Sequence, residues 1–276
     1  MTELGFLEIL LIVIIGIIEG ITEWLPISST GHMLLFDELF TLSAGEEFKE
    51  MFFVVIQLGA ILAVVVMFWN KVFPFSFKER PHVRGNIMMM WARIAVACLP
   101  SAVLGFLFDD MLEKYFGNAI TIAIMLIVYG IAFIAIEKIN KNRIPKLKNI
   151  GDIGFLSAFV IGLFQVLSMI PGTSRSGATI IGALIIGVSR TAAAEFTFFL
   201  ALPTMLGASL LKIAKYGFAF TGVEIVALLL GSVVAFLVSL VAIRFLMNFV
   251  KRHDFSSFGW YRIALGILVI AVTLLI

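Results

Sequence analysis

The sequence contains 276 residues, of which 61% are hydrophobic and only 14% are charged, and its formal net charge is +2. A soluble domain carries roughly a quarter charged residues, so this composition excludes an ordinary water-soluble protein and indicates a membrane protein. The small net charge gives no indication of nucleic-acid binding. The single cysteine, Cys98, excludes an intramolecular disulfide and a cysteine metal cluster.

The first apolar segment, residues 4–40, is interrupted near its centre by a proline and a run of hydroxyl residues at 26–31. Proline and glycine break helices, and irregular backbone at membrane depth is tolerated only inside protein or beside water. We therefore expect this segment to form a re-entrant helix–loop–helix element, which enters and leaves the membrane on the same side.

Two carboxylates, Glu19 and Glu23, lie within the apolar part of this segment. They are four residues apart and therefore share one face of a helix. Carboxylates at membrane depth are costly and are usually functional. A divalent cation would relieve their repulsion, and Mg²⁺ is commonly held by one or two carboxylates together with substrate phosphates. We predict that Glu19 and Glu23 bind a divalent metal, Mg²⁺ first and Ca²⁺ as an alternative, with acid–base catalysis as a second role for Glu23.

The hydroxyl run and His32 follow directly after Pro26. Hydroxyls and free backbone N–H groups at the start of a helix form an anion site. A histidine close to two carboxylates and a nucleophilic hydroxyl is a candidate general base. The sequence therefore predicts an anion site with acid–base chemistry at this break.

Six further runs are long and apolar enough to cross a bilayer, because a span needs about 20 such residues. Helices are expected, since lipid offers the backbone no other partner and the alternating pattern of barrel strands is absent. The predicted spans are residues 51–69, 86–107, 118–136, 195–213, 223–249 and 258–276.

A second interrupted segment, residues 151–190, lies between the third and fourth spans and is predicted to be re-entrant as well. Its break carries Arg175, whose planar fork of donors matches phosphate oxygens. A buried arginine needs an anionic partner; a substrate phosphate would serve, and an ion pair with Glu19 or Glu23 is the alternative in the empty protein. The hydroxyl residues beside it are Ser174, Ser176 and Thr179.

The loop charges predict the orientation of these elements. Basic residues cluster in the loops 71–84, 138–148 and 251–252, which should be cytoplasmic, whereas 37–50 and 109–113 are acidic and should lie outside. The sides then alternate correctly through all six spans. The second interrupted segment begins and ends inside, and the first begins and ends outside.

The two halves of the chain resemble each other. We expect one membrane domain, 1–276, with repeat halves at about 1–140 and 150–276, and three spans per half invert the second copy and bring the two breaks together. The strings Trp-x-Arg-Ile-Ala at 91–95 and 260–264 fall in non-equivalent spans, and we interpret them as coincidence. An ungapped shift of 146 pairs Gly16 with Gly162, Glu19 with Gln165, Thr22 with Ser168, Ser28 with Ser174, Thr30 with Ser176 and Gly31 with Gly177.

Carboxylates with a metal, hydroxyls, a histidine and an arginine are the parts needed for phosphoryl transfer. Together they resemble the signature of one family, the BacA-type undecaprenyl-diphosphate phosphatases, over essentially the whole chain. The matching motifs are Glu19-x-x-x-Glu23, Pro26-x-Ser28-Ser29-Thr30-Gly31-His32, Pro171-Gly172-x-Ser174-Arg175-Ser176-Gly177-x-Thr179, Gln57-Leu58-Gly59 and Gly187-Val188-Ser189-Arg190.

The resemblance implies an integral membrane enzyme of the bacterial plasma membrane. Its substrate would be undecaprenyl diphosphate, hydrolysed to undecaprenyl phosphate and inorganic phosphate, which recycles the lipid carrier of peptidoglycan and other cell-wall polymers. The site would open to the outer face and need a divalent cation, and overproduction would confer bacitracin resistance.

The resemblance also implies roles for single residues. Ser29 and His32 would take part in the attack, with Ser29 as nucleophile assisted by His32; His32 itself or water are the alternatives. Arg175 would clamp the diphosphate. The residues expected to help bind substrate are Ser28, Thr30, Ser174, Ser176 and Thr179.

Three other functions compete with the phosphatase. Type-2 phosphatidic acid phosphatases need a histidine six residues after a Ser-Arg pair, but Ile181 and Phe196 stand there, so that family is rejected. A polyprenyl-phosphate flippase fits an inverted repeat with a charged site, and we keep it as the alternative function. A structural subunit leaves the membrane-depth charges unexplained. Apolar outer helices pack with membrane lipids or with each other at similar energy, so a homodimer is allowed.

Overall fold

A computed structural model of the chain describes residues 5–40, 42–76 and 82–275. The described chain is helical almost throughout, apart from a two-residue antiparallel pair, Phe75–Ser76 with His82–Val83, and a 3-10 turn at Ile150–Asp152. The helices are α1 Phe6–Thr22, α2 Ser29–Leu39, α3 Glu46–Val55, α4 Gln57–Met67, α5 Trp69–Val72, α6 Gly85–Phe116, α7 Ala119–Asn140, α8 Phe155–Leu167, α9 Arg175–Ile185, α10 Arg190–Tyr216, α11 Gly222–Phe249 and α12 Ser256–Leu275.

Six helical stretches of the described chain are long and apolar enough to cross a membrane, which confirms the number and order of the predicted spans. The first stretch consists of α3 and α4, which join at Ile56. Residue 4 of the first interrupted segment, residues 77–81 of the first basic loop and Ile276 of the last predicted span lie outside the described residues. The stretches are Glu46–Met67, Gly85–Phe108, Ala119–Asn140, Arg190–Tyr216, Gly222–Phe249 and Ser256–Leu275.

Each interrupted segment forms two shorter helices separated by an irregular loop, which we call the first site loop, 23–28, and the second site loop, 168–174. Both loops contain a proline, which lacks the N–H that a continuing helix would use. Ser28 and Ser174 end the loops with φ of 73° and 69°. Each serine Oγ accepts a hydrogen bond from the backbone N–H three residues later, which caps α2 and α9.

The helices pack against one another at close range, both where a shorter helix contacts a span and where two spans meet. α1 packs on α11, α8 on α6, and α7 on α12. Where α4 crosses α11, a Cβ on Gly59 would lie 1.9 Å from the carbonyl oxygen of Ser232, and where α8 crosses α6, a Cβ on Gly162 would lie 2.2 Å from that of Ala97. Small residues permit this close backbone approach in membrane helices. The crossings hold the site loops inside the helix bundle.

Candidate active site

The two site loops meet at a cavity of about 590 Å³. Its walls also come from α6 and α10, which supply most of the apolar lining, and from α4, which supplies Gln57. The predicted residues that line it are Glu23, Ser29, Thr30, Ser174 and Arg175. Further polar lining residues are Gln57, Ser101, Gln165, Ser168 and Thr204, and apolar ones include Ala102, Phe106, Met169, Pro203, Met205 and Leu211.

Glu23 connects the two halves of the site. It is the residue at which α1 ends, so its side chain reaches the first site loop instead of the helix surface. Its Oε2 accepts a hydrogen bond of 3.0 Å from Ser29 Oγ, and its Oε1 accepts one of 3.0 Å from Arg175 Nη2. The carboxylate is buried. A buried carboxylate bonded to a serine hydroxyl is placed to take that hydroxyl's proton.

Arg175 begins α9 and is held from two sides. In addition to its bond with Glu23, its Nη1 donates to the carbonyl oxygen of Thr197 at 2.9 Å. Its Nε is buried and has no hydrogen-bond partner among the described residues. A buried charged donor without a partner is costly, and an anionic oxygen entering the cavity would satisfy it. The alternative prediction of an ion pair with Glu23 is thus what the structure shows without substrate.

The remaining predicted hydroxyls divide into two groups. Thr30 and Ser174 line the cavity, whereas Ser28, Ser176 and Thr179 are buried behind it. Ser176 Oγ donates to the carbonyl oxygen of Glu23 at 3.2 Å. This second group therefore shapes the loops in the structure.

Thr179, one helical turn after Arg175 in α9, holds the backbone of Arg175. Its Oγ1 donates to the carbonyl oxygen of Arg175 at 2.9 Å and lies 2.9 Å from the Oγ1 of Thr197. The same Thr197 supplies the carbonyl oxygen that holds the Arg175 guanidinium. The two threonines thus fix the arginine at both its backbone and its side chain.

His32 does not contact Ser29 in this structure. Its Nδ1 lies 2.7 Å from the carbonyl oxygen of Ser28, and its Nε2 lies 2.7 Å from the hydroxyl of Tyr261, whose ring stacks on the imidazole. Because a carbonyl oxygen can only accept, Nδ1 is the donor, and Nε2 of a neutral imidazole accepts from Tyr261. The hydroxyl of Ser29 instead donates to Glu23 Oε2, and a part for His32 in the attack stays a prediction.

Glu19 lies one helical turn before Glu23 and is fully buried, outside the cavity lining. Its Oε1 has no hydrogen-bond partner in the described part of the chain. That part contains no cluster of three or more ligating His, Cys, Asp or Glu side chains. Mg²⁺ binding by one or two carboxylates together with substrate phosphates needs no such cluster, and the buried Oε1 of Glu19 without a partner in that part of the chain is the observation that a cation at Glu19 and Glu23 would explain.

Arg262 is a site residue that the sequence analysis missed. It lies in α12, is fully buried, and donates from Nη1 to the carbonyl oxygen of Pro26 at 3.2 Å. Its Nη2 donates to the carbonyl oxygens of Gly172 and Thr173 at 2.8 and 2.9 Å. One guanidinium thus joins the first site loop to the second. The Trp-x-Arg-Ile-Ala string at 260–264 contains this arginine. A charged residue within a predicted apolar span was the sequence feature that could have pointed to it.

Gln165 is a second residue whose role the sequence analysis left undefined. Its Nε2 donates to Ser101 Oγ at 2.6 Å, and its Oε1 is buried without a partner among the described residues. Both residues line the cavity, as does Gln57. The 146-residue shift already placed Gln165 opposite Glu19, which was the signal for it.

Comparison with known proteins agrees with the resemblance of the motifs. The family described as "Bacitracin resistance protein BacA" matches residues 12–268. An Enterococcus faecalis protein named undecaprenyl-diphosphatase is 62% identical over 98% of this chain and 99% of its own length. Proteins of the same name from Acetivibrio thermocellus and Desulfitobacterium hafniense are each 54% identical, over 96% and 97% of this chain and 97% and 96% of theirs. On this similarity the chain belongs to the bacitracin resistance protein BacA family.

Proposed function

We propose that the protein hydrolyses undecaprenyl diphosphate to undecaprenyl phosphate and inorganic phosphate, and so recycles a lipid carrier of cell-wall synthesis. The names of the relatives support this activity. The observation that carries it is the double hydrogen bond of Glu23, which brings a serine hydroxyl and an arginine together in the lining of a cavity that also has apolar residues. The diphosphate would bind at these polar side chains, and the first part of the lipid tail would lie against the apolar ones.

Ser29 is the proposed nucleophile. As its Oγ bonds to the terminal phosphorus, its proton passes to Glu23 Oε2, and the bond from that phosphorus to the bridging oxygen breaks. Undecaprenyl phosphate leaves, and the terminal phosphoryl group stays on Ser29. Glu23 releases this first proton to solvent. It then accepts a proton from the water that attacks the phosphoserine and passes that proton to Ser29 Oγ as the bond from phosphorus to Oγ breaks, which frees inorganic phosphate and restores the Ser29 hydroxyl.

Arg175 stabilises charge on the phosphoryl oxygens in both steps. Its Nε has no partner in the described structure and can donate to a phosphate oxygen. Its Nη2 can give up the hydrogen bond to Glu23 and donate to the substrate instead, once Glu23 has taken the proton of Ser29. Glu19 and Glu23 would hold the divalent cation, Mg²⁺ first and Ca²⁺ as the alternative, which when bound supplies charge neutralisation to the phosphate groups.

We also propose the inverted repeat and the two re-entrant elements. Several matched features of the two halves support them. α1 packs on α11 as α8 packs on α6, and α7 packs on α12, which is the pairing expected when α1, α6 and α7 correspond to α8, α11 and α12. Ser28 and Ser174, which the shift of 146 aligns, are the non-glycine residues with positive φ in the described chain.

The proposed location is the bacterial plasma membrane, with the cavity open to the outer face. The support is the charge of the loops. The spans α6 and α10 contribute to the cavity through residues in their C-terminal halves, such as Phe106 and Leu211. The acidic residues 109–113 place that end of α6 outside, and the alternation of the spans places the end of α10 on the same side.

The test is phosphate release from undecaprenyl diphosphate by protein purified in a neutral detergent. Wild type should release phosphate with Mg²⁺ and much less with a chelator, and Ser29→Ala and Arg175→Ala should lose nearly all activity. The exposed-site variants Ser43→Ala and Arg252→Ala serve as matched controls and should behave as wild type. A well-folded wild type that moves the lipid across vesicles but releases no phosphate would favour the flippase instead.

The identity of the nucleophile needs a separate measurement. Rapid quenching of enzyme and terminally labelled substrate in sodium dodecyl sulfate at neutral pH, where phosphoserine and phosphohistidine both survive, should trap phosphate on Ser29, identified by peptide mass spectrometry. Phosphate trapped on His32 would refute the serine mechanism. Transfer of ¹⁸O from solvent directly into phosphate in a Ser29→Gly variant at a rate close to wild type would indicate water as nucleophile.

A further inference from the structure

A second cavity, of about 340 Å³, lies at the other end of α10 from the candidate active site. It shares no lining residue with the first cavity. Arg190, which lines it, is 13 residues before Pro203 of the active-site wall, so a rise of 1.5 Å per residue separates the two by about 20 Å along the helix. The second cavity is therefore a distinct place in the molecule.

Ends of three spanning helices form this cavity. α7 contributes Asn140, α10 contributes Arg190, and Lys251 follows α11. Because each helix is long enough to cross a bilayer, their ends lie at the depth of lipid headgroups. The cavity is concave at the level where phosphate groups of lipids are found.

Four cationic side chains line the cavity, against one acidic residue among its lining. The cations are Lys141, Arg143, Arg190 and Lys251, and the acid is Glu137. Glu137 is already used: both of its oxygens accept from Arg190, and Oε1 also accepts from the backbone N–H of Phe255. Within the described chain no ion pair joins a carboxylate to Lys141, Arg143 or Lys251, and the nearby carboxylate of Asp254 acts electrostatically on Arg190. The partial negative charge at the C-terminal ends of α7 and α11 favours cations nearby but does not neutralise them.

The basic loop is fixed in place and does not extend freely into solvent. The backbone N–H groups of Lys146 and Leu147 donate to the carbonyl oxygen of Gly187 at 2.9 and 3.1 Å. Ser189 donates its N–H to Leu147 O at 2.8 Å and its Oγ to Lys148 O at 2.9 Å. Gly187 turns with φ of +88°, a conformation that favours glycine. The Gly187-Val188-Ser189-Arg190 motif thus serves to hold basic side chains around one cavity.

We propose that this cavity binds a phosphate group, either of an anionic lipid headgroup or as inorganic phosphate. Three cations without carboxylate partners in a preformed concave site favour a compact anion. Basic pockets between membrane helices at the cytoplasmic side bind anionic lipid headgroups. This inference does not depend on the phosphatase activity proposed for the other cavity.

The test compares two double variants that each remove two positive charges from the same surface. Lys141→Gln with Lys251→Gln changes the cavity, and Lys138→Gln with Lys148→Gln changes basic residues outside its lining. All proteins carry Arg175→Ala, so that phosphate binding in the active site is weakened. Calorimetric titration in neutral detergent uses two probes, dihexanoyl-phosphatidic acid and inorganic phosphate, and thermal unfolding checks the fold.

We expect the cavity pair to weaken binding of dihexanoyl-phosphatidic acid about tenfold or more, and the control pair to leave it unchanged. Inorganic phosphate that binds with the same dependence would identify the phosphate alone as the ligand; its failure to bind would identify a lipid. Equal weakening by both pairs, or no binding at all, would overturn the proposal. If Arg175→Ala does not fold, the pairs are compared without it, and the cavity pair should lower the stoichiometry from two to one.

Discussion

At the scale of single residues, the chemistry depends on the charge of Glu23. A glutamine there keeps the size of the side chain but loses the negative charge that attracts Arg175 and the basicity that accepts the proton of Ser29. We predict that Glu23→Gln lowers kcat for phosphate release by about 100-fold or more. Glu38→Gln, which changes an exposed glutamate of α2, is the control and should leave kcat unchanged.

The same variant distinguishes two roles of Glu23, proton transfer and the shaping of the site loops. If Glu23 only shaped the loops, Glu23→Gln would lower activity in proportion to the loss of folded protein. Because the change takes the buried anionic partner from Arg175, we expect the thermal unfolding temperature to fall, and we expect activity per folded protein to fall far more. An active and stable Glu23→Gln protein would contradict the proton-transfer role.

Some of these residues could be predicted from sequence and others could not. Glu23 and Arg175 stand out because charges inside apolar segments need partners. The partner of His32 could not be predicted, because Tyr261 is 229 residues further along the chain. Spacing placed His32 near Ser29 in sequence, but the turn of α2 directs the imidazole to α12. Local sequence indicates which side chains carry chemistry, and tertiary packing decides which of them meet.

At the scale of elements, Arg262 joins the two site loops through three carbonyl oxygens. Arg262→Met keeps much of the volume but leaves those buried acceptors without a donor, which costs about 3 kcal/mol for hydrogen bonds to a charged group. We predict a lower thermal unfolding temperature and a loss of phosphate release greater than the loss of folded protein, because the loops separate. Arg252→Met, at an exposed arginine, should change neither.

A conservative change at Arg262, to lysine, distinguishes a role in positioning the site loops from a general effect on stability. Lysine can reach one carbonyl group but lacks the fork that spans both loops. Arg262→Lys should therefore recover stability more than it recovers kcat. Full recovery of both by lysine would show that the charge alone matters.

The crossing of α4 with α11 provides a second test among the elements. A Cβ on Gly59 would lie 1.9 Å from Ser232 O, so Gly59→Ala must push the helices apart, at a cost of about 1–3 kcal/mol. We predict a lower unfolding temperature for Gly59→Ala and little change for Gly222→Ala, which has open space around it. Equal stability of the two variants would mean that α4 and α11 do not cross this closely.

The spans themselves were predictable because the bilayer sets their length and composition. Hydropathy placed the first span at 51–69, whereas the helical stretch begins at Glu46. The five added residues at its start include Glu46, Glu47 and Lys49, which a rule based on hydropathy excludes. Lys49 is buried because it pairs with Asp37 and Glu46, and such pairing depends on the folded neighbour helix.

At the scale of the whole molecule, the proposed topology predicts which loops face outward. Single cysteines can be introduced at glycines with open surroundings, in a Cys98→Ser protein that has no other cysteine. We expect an impermeant thiol reagent to label Gly5→Cys, Gly45→Cys and Gly222→Cys in intact cells. Gly85→Cys and Gly151→Cys should be labelled only after the cells are permeabilised.

Gly5→Cys and Gly222→Cys decide the topology, because each depends on one interrupted segment being re-entrant. If α1 and α2 crossed the membrane as one span, residue 5 would lie inside and be protected. If α8 and α9 crossed as one span, all later loops would exchange sides and residue 222 would be protected. Labelling of both cysteines in intact cells requires that each segment return to the side from which it entered, with the halves inverted. The site loops then enter from opposite faces and meet at Glu23 and Arg175.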